Sequence, residues 1–281
     1  MVVHPQDDWV DIPPLDEFCV DKTENRKNGR RNRLLRVDRE NPRFSEVERL
    51  FIKGWRHGKK DKPEVHFIFK VLWTEALLES YLAYRASVQR TVKAKDKRGN
   101  ERLLFHGTNR ACLLGETGNN VLLCSLRDCS LCSILRTSFD VTKCGSKNAF
   151  KRYVKLHYSI NKPLKGIRFG HGIYTTSCSS KADDYTTNIS KEATLRVALV
   201  SRVVVGIPYK RYRNATDLVS PPNGYHSIAG EIGWDLNYEE TVTYHNDTIR
   251  PAYLVVYGNR QEAPVTLKTF VRSMFKTPLA S

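Results

Sequence analysis

The sequence has no long apolar run, no secretory leader and no even set of cysteines, and each absence excludes a class of protein. No stretch approaches the ~20 consecutive apolar residues that a membrane-spanning helix needs, so we expect no membrane association. The first residues lack the basic start and apolar core of a secretory signal. Seven cysteines are an odd number, which argues against a disulfide scaffold. We therefore expect a reducing compartment, nuclear or cytoplasmic.

Acidic residues are scarce relative to basic ones, with 30 Asp and Glu against 46 Lys and Arg and a formal charge of +16. Such an excess favours contact with nucleic acid, an acidic protein surface or an anionic substrate, although a merely soluble basic surface explains the charge equally well. Basic residues are concentrated in the segments 21–63, which includes the run Arg26–Arg33, and 90–102. The run is typical either of a nucleic-acid or nuclear-import arm or of a solvated tail.

The arrangement of apolar residues predicts an α+β domain. Helical spacing begins after Asn41 and again at Trp73, and residues 65–71 alternate as in a half-buried strand. The second half is rich in β-branched and aromatic residues without regular strand–helix alternation, which favours a mostly antiparallel sheet. We predict further strands at residues 103–108, 154–160, 196–207, 240–244 and 253–257.

Three short segments carry residues suited to chemistry. The pair His106–Gly107 ends a predicted strand, where glycine lets a flat ligand approach the backbone, although a turn glycine after a buried histidine also explains it. Tyr174 and Tyr185 can enclose an aromatic ring such as nicotinamide, but tyrosines are common in cores. Of the glutamates at 239–240, a strand turns one toward the core side. A carboxylate beside a cleft stabilises an oxocarbenium ion or orients a ribose hydroxyl, and two solvent-facing glutamates are the alternative.

Four cysteines, at positions 124, 129, 132 and 144, form the pattern C-x₄-C-x₂-C-x₁₁-C. Zinc sites prefer paired short spacings, and this pattern has only one C-x₂-C. Buried thiols in an apolar helix or strand explain the segment CSLCSILRTSF as well. We therefore expect no metal.

In this order, the segments FHGT, FGHGIYTTSCSSKADDY and the glutamate-led strand resemble the catalytic domain of poly(ADP-ribose) polymerases, most closely its fungal members. The likeness runs from about Asn41 to Gly258. It implies an ADP-ribosyltransferase fold, with a split, mostly antiparallel β-sheet core and flanking helices, and NAD⁺ as the substrate. We expect a polar basic segment at 1–40, the catalytic domain at 41–260 and a tail at 261–281.

The resemblance also implies roles for individual residues. His106, Tyr174 and Glu240 would form the catalytic triad, in which His106 binds the adenine-side ribose and Glu240 holds the 2′-hydroxyl of the nicotinamide ribose. Gly107 would hold the nicotinamide carboxamide through its backbone, and Tyr185 would stack on the ring. The residues implied to bind NAD⁺ are His106, Gly107, Thr108, Gly172, Tyr174, Ser180 and Tyr185.

The choice of Glu240 over Glu239 also rests on the resemblance. The family's glutamate lies four residues before a tyrosine, and Tyr244 stands at that distance from Glu240. Arginine-directed toxin-type transferases carry two acidic residues separated by one residue. Tyr238 occupies the first of these positions here, which disfavours that subclass.

The sequence departs from the family pattern at Ala182, where many relatives have a serine that donates a hydrogen bond to the carboxamide. Ser179, Ser180 or a water would replace that donor, or nicotinamide would bind more weakly. One neutral hydrogen bond is worth about 0.5–1.5 kcal/mol, too little to abolish activity.

The resemblance as a whole predicts an NAD⁺-dependent ADP-ribosyltransferase that transfers ADP-ribose, once or repeatedly, to a protein or nucleic-acid acceptor. The alternatives are an NAD⁺-binding module without turnover and a basic nucleic-acid-binding protein. About 40 residues precede the predicted domain, too few for a four-helix regulatory bundle. We therefore expect activity without a DNA-break trigger.

Overall fold

The computed structural model describes residues 33–93, 97–144 and 168–259. The predicted strand at 154–160, the basic run at 26–33 except for its last residue, and the predicted C-terminal tail at 261–281 lie outside these ranges. Within the described ranges, no helix is long and apolar enough to cross a membrane.

The two longest helices begin at capping residues. The side chain of Asn41 accepts a hydrogen bond from the backbone N–H of Arg43 at 2.9 Å, and that of Thr74 accepts one from Leu77 at 3.2 Å. These bonds satisfy backbone donors that a first turn leaves unpaired. The helices of six residues or more in the described part are α1 (Pro42–Lys53), α2 (Glu75–Gln89), α3 (Ser130–Thr137) and α4 (Ser179–Asp184).

The strands form two main sheets and one short pair. The strands are β1 (Leu34–Val37), β2 (Val65–Val71), β3 (Glu101–His106), β4 (Asn109–Arg110), β5 (Ile173–Thr175), β6 (Thr187–Asn188), β7 (Arg196–Val204), β8 (Pro208–Arg211), β9 (Ser227–Gly230), β10 (Glu240–Thr243) and β11 (Ile249–Tyr257). The larger sheet is antiparallel in the order β1-β2-β11-β7-β3, and the smaller has the order β5-β10-β9-β8, in which β8 and β9 are parallel. β4 and β6 form a parallel pair.

A bridge between the edge strands β3 and β5 joins the two sheets. The backbone N–H of Phe105 donates to the carbonyl of Thr176 at 2.7 Å, and the N–H of Thr176 donates back to Phe105 at 3.0 Å. Because β3 ends at His106 and β5 contains Tyr174, the bridge places residues from distant parts of the sequence side by side. The sheet is therefore split, and the split is where a cleft forms.

A buried ion pair holds α2 against the larger sheet. Arg202 in β7 donates to Glu101 in β3 at 2.6 Å, and Tyr81 in α2 donates to the same carboxylate. Burial raises the pKa of Glu101, but the hydrogen bonds from Arg202 and Tyr81 outweigh it and lower the pKa overall. The network fixes the strand that presents His106 at its end.

The predicted α+β class with a split, mostly antiparallel sheet is confirmed. The predicted helices after Asn41 and Trp73 are present, and so are the strands at 103–108, 196–207, 240–244 and 253–257, with shifted ends. The strand at 65–71 has the predicted ends. The predicted strands did not include β1 or the short strands β4, β6, β8 and β9. β1 lies in the segment interpreted as a polar leader. β1 pairs along its whole length with β2, from Leu34 with Val71 to Val37 with Ile68, so order begins before residue 41.

Candidate active site

A cleft of about 560 Å³ opens at the split between the sheets. The ends of β3, β5 and β10 contribute to it together with α4, and α3 with the segment that follows it forms another wall. Clefts of this size accommodate small molecules and cofactors. Of the residues predicted to bind NAD⁺ or to act in catalysis, the cleft is lined by His106, Gly107, Thr108, Gly172, Tyr174, Tyr185 and Glu240.

Two contacts hold the His106 ring in place. Its Nδ1 lies 2.8 Å from the carbonyl oxygen of Tyr174, and since a carbonyl only accepts, Nδ1 carries the proton. Phe139 packs edge-on against the ring, with 5.0 Å between ring centroids. Burial lowers the pKa of His106, and the hydrogen bond to Tyr174 opposes this only in part. The imidazole is therefore neutral at pH 7, with Nε2 as an acceptor.

Gly107 follows β3 where the backbone runs close to α4. A Cβ at this position would lie 1.9 Å from the carbonyl oxygen of Ala182, so any larger residue would displace backbone. Only glycine allows the main chain to pass this close to α4, and at this point the main chain of residue 107 lines the cleft. Its peptide groups make no hydrogen bond to other residues in the described part of the chain.

The two predicted tyrosines differ in how much of the ring is exposed. The hydroxyl of Tyr174 accepts from the N–H of Phe169 and donates to the carbonyl of Gly170, both at 2.8 Å, so its ring is fixed against the cleft. Burial raises the pKa of Tyr174. Tyr185 caps the C-terminal end of α4 and is 43% exposed, which leaves ring surface for a ligand. The hydroxyl of Tyr174 is a structural anchor, while Tyr185 offers a stacking face.

Glu240 forms a buried ion pair with Lys181 at the base of the cleft. Oε1 lies 2.7 Å from Lys181 Nζ, which also donates to the carbonyl of Tyr238 at 3.0 Å. The two residues are only 5% and 8% exposed. Burial lowers the pKa of Lys181, and the charge of Glu240 partly restores it. The other oxygen, Oε2, is buried and has no hydrogen-bond partner among the described residues.

Glu239 faces the other way, as expected for neighbours on a strand. Its carboxylate pairs with Arg56 at 3.2 Å and accepts a hydrogen bond from Ser177. Glu239 does not line the cleft. The geometry thus separates the two glutamates, and Glu240 is the one in the cleft.

The hypothesis that Ser180 lines the NAD⁺ site needs correction. Ser180 is fully buried and its Oγ accepts a hydrogen bond from the backbone N–H of Arg56, while Ser179 donates to the carbonyl of Phe51 at 2.6 Å. Ser179 thus connects α4 to α1 and Ser180 connects it to the segment after α1, because the first turn of α4 faces the core. Neither can stand in for the serine that Ala182 replaces, and Ala182 itself lines the cleft.

Sequence reasoning missed three cations in the cleft: Lys181, Arg127 and Lys143. A signal existed for Lys181, since it precedes Tyr185 by four residues on α4 and so shares its helix face. No comparable signal marks Arg127 or Lys143. They reach the cleft from the segments flanking α3.

Comparison with known families agrees with this geometry. Residues 150–233 match the family described as "Poly(ADP-ribose) polymerase catalytic domain". The match covers less than half of the chain and includes Gly172, Tyr174, Lys181 and Tyr185. His106 and Glu240 lie outside the matched range and reach the same cleft through the junction between the sheets. A comparison with curated proteins found no match.

Proposed function

We propose that the protein transfers ADP-ribose from NAD⁺ to a protein or nucleic-acid acceptor and releases nicotinamide. The match of residues 150–233 to the poly(ADP-ribose) polymerase catalytic domain supports this, since that family has the ADP-ribosyltransferase fold and uses NAD⁺. In this proposal the catalytic residues are His106, Tyr174 and Glu240. All three line one cleft, although they come from three separated segments of the sequence.

The unpartnered Oε2 of Glu240 is the observation that carries the proposal. A buried polar atom without a hydrogen-bond partner destabilises the folded protein by roughly 2–7 kcal/mol. Such an atom therefore suggests a place where a bound ligand supplies the missing partner. The 2′-hydroxyl of the nicotinamide ribose is a suitable donor for it. That contact places the negative charge beside the sugar carbon that becomes positive.

The reaction follows from this placement. The bond between ribose C1″ and the nicotinamide nitrogen breaks, and its electron pair neutralises the pyridinium, which needs no proton to leave. Positive charge spreads over C1″ and the ring oxygen, and Glu240 stabilises it electrostatically. An acceptor nucleophile then attacks C1″ and loses its proton. Lys181 fixes the position of the Glu240 carboxylate through its contact with Oε1, which leaves Oε2 on the side of the ribose.

The remaining lining residues fit the other parts of NAD⁺. The free peptide groups of Gly107 match a carboxamide, which both donates and accepts, and the Tyr185 ring stacks on nicotinamide. Nε2 of His106 accepts from a hydroxyl of the adenine-side ribose. Arg127 and Lys143 supply positive charge for the diphosphate.

Incubation with labelled NAD⁺ and separate protein, DNA and RNA acceptors tests the function. We expect nicotinamide release and label on an acceptor, and gel and mass analysis to distinguish one ADP-ribose from a chain. Binding of NAD⁺ without release under every condition would support the non-turnover module instead. Nucleic-acid binding without any NAD⁺ binding would support a basic nucleic-acid-binding protein, with salt-dependent affinity.

Tyr185→Ala tests the nicotinamide position. Benzamides, which share the ring and carboxamide of nicotinamide, should inhibit competitively with NAD⁺. Loss of stacking, worth about 0.5–1.5 kcal/mol beyond buried area, should weaken that inhibition about two- to tenfold. Tyr212→Ala, at a tyrosine that is 56% exposed and outside the cleft, should leave the inhibition constant unchanged. If both variants had the same inhibition constant for benzamides, the nicotinamide ring would not stack on Tyr185.

The proposed location is the nucleus or the cytoplasm. The proposal rests on the odd number of cysteines in the sequence, which argues against a disulfide scaffold. The closeness to fungal members and the choice between mono- and poly-ADP-ribosylation stay predictions.

A further inference from the structure

Four thiols from three parts of the chain meet at the N-terminal end of α3. The Sγ atoms of Cys112, Cys124, Cys129 and Cys132 all lie within 4.8 Å of one another. Cys112 Sγ is 3.6 Å from Cys132 Sγ and 3.8 Å from Cys129 Sγ. These distances are too long for disulfides, whose sulfurs are about 2.05 Å apart.

The distances fit tetrahedral coordination. Zinc–thiolate bonds are about 2.3 Å long, so two sulfurs on one tetrahedral zinc are about 3.8 Å apart. Cys129 caps the N-terminal end of α3 and Cys132 lies one turn into it, so one C-x₂-C pair presents both sulfurs on one side of the helix. The backbone N–H of Ala111 points at Cys129 Sγ at 3.4 Å, a contact that stabilises a metal-bound thiolate.

The cluster lies in a long irregular segment. Residues 111–129 contain no helix or strand, a long stretch of this kind for a compact domain. Leu114 anchors the stretch in the core, whereas Leu122 and Leu126, on either side of Cys124, are both 55% exposed. The four cysteines fall at its start, its middle and its junction with α3. A cross-link at these positions would fix the whole segment.

We propose that Cys112, Cys124, Cys129 and Cys132 bind one structural zinc ion. The four thiols lose their protons to solvent as the ion binds, and all four coordination positions are filled by protein, so the site carries no chemistry of its own. Its effect is on the cleft, since Arg127, Ser130, Ser133 and Ile134 between and beside the ligands form one wall.

Nearby positive charge suits a site with four thiolates around one divalent ion. Arg136 in α3 donates to the carbonyl of Cys124 at 2.6 Å, and the buried guanidinium of Arg110, two residues before Cys112, also pairs with Glu116 at 3.1 Å. The other described group with suitable ligands, His57, Asp183 and Asp184, differs because Lys60 lies 2.7 Å from Asp183 and Arg196 lies 2.6 Å from it. Those carboxylates already have cations.

The proposed ligand set differs from the one considered in the sequence. Cys144, which completes the pattern C-x₄-C-x₂-C-x₁₁-C, donates through its Sγ to the carbonyl of Asp140 at 3.5 Å and lines the cleft. Cys112 takes its place, and the pattern becomes C-x₁₁-C-x₄-C-x₂-C. The long first spacing hid it, because zinc patterns are recognised by two short pairs.

Elemental analysis of the full chain, purified with a reductant and without chelator, tests the proposal. We expect about one zinc per chain, the stoichiometry of a closed four-thiolate site. Cys112→Ser and Cys132→Ser should lose most of the zinc, whereas Cys144→Ser and Cys178→Ser should keep all of it. Replacement of zinc by cobalt should give the intense visible absorption of a tetrahedral tetrathiolate in the wild type and in Cys144→Ser.

Each alternative has its own result. Zinc-free wild-type protein that also takes up no cobalt under reducing conditions would overturn the proposal, as would zinc loss in Cys144→Ser. A disulfide between Cys112 and Cys129 or Cys132, found by mass spectrometry in the purified protein, would also overturn it and would show that these thiols form a redox pair. The wild-type and Cys144→Ser measurements decide the question even if Cys112→Ser fails to fold. Since they need no NAD⁺, an inactive but zinc-loaded protein would refute the proposed function alone.

Discussion

Replacing Glu240 by Gln will lower the rate of ADP-ribose transfer by about a hundred- to a thousandfold while changing NAD⁺ affinity only slightly, the size expected when one preorganised electrostatic contact to a transition state is removed. Glutamine keeps the volume and can still accept from Lys181, so the cleft should keep its shape. The lost charge matters most when the ribose becomes positive. The effect should therefore appear in kcat rather than in the dissociation constant of NAD⁺.

Glu239→Gln is the matched control, because it makes the same chemical change one residue away. Glu239 pairs with Arg56 outside the cleft, and the variant should keep nearly all activity. The measurements are nicotinamide release at saturating NAD⁺ and calorimetric NAD⁺ binding, with a thermal melt of each variant. Near-normal turnover of Glu240→Gln would refute the assignment, and an equal loss in Glu239→Gln would show that the strand rather than the carboxylate matters.

Local patterns in the sequence predicted most of the longer helices and strands. Caps and apolar spacing mark α1 and α2, and alternation marks β2, because these depend on residues near one another. β1 was missed since its four residues, LLRV, stand in a basic segment and become a strand only by pairing with β2. Tertiary pairing decides such short strands, and no local signal shows it.

The site residues show the same division. The glycine and tyrosine positions follow from motifs, but only the bridge between Phe105 and Thr176 brings His106 to Tyr174. Ser180 fails as a cleft residue because the first turn of α4 points into the core, which depends on how α4 packs on α1 and on the segment after it. Cys112 likewise comes close to the other three thiols only through the path of a long irregular segment. The number of residues between cysteines does not predict that path.

Replacing Lys181 by Met will destabilise the protein and slow transfer, because it leaves the buried carboxylate of Glu240 without its cation. Removing one partner of a buried ion pair costs about 3–5 kcal/mol of unfolding free energy, and water entering the open cleft favours the lower end. Loss of the charge-assisted hydrogen bond, worth about 1.5–3 kcal/mol, also frees Oε1 and should lower kcat about tenfold to a hundredfold. Lys210→Met removes an exposed lysine that pairs with Glu231 at 3.0 Å and should change stability by less than about 1 kcal/mol.

The double variant Glu240→Gln/Lys181→Met separates the roles of the ion pair in stability and in catalysis. A neutral glutamine needs no cation, so the double variant should unfold at a higher urea concentration than Lys181→Met alone. Its transfer rate should equal that of Glu240→Gln, because Lys181 acts through the carboxylate and has nothing left to orient. Urea denaturation and nicotinamide release on the four proteins of the cycle give both quantities. Rate losses that simply add would mean that Lys181 contacts NAD⁺ or the acceptor directly, and its place beside Oε1 would then be incidental to catalysis.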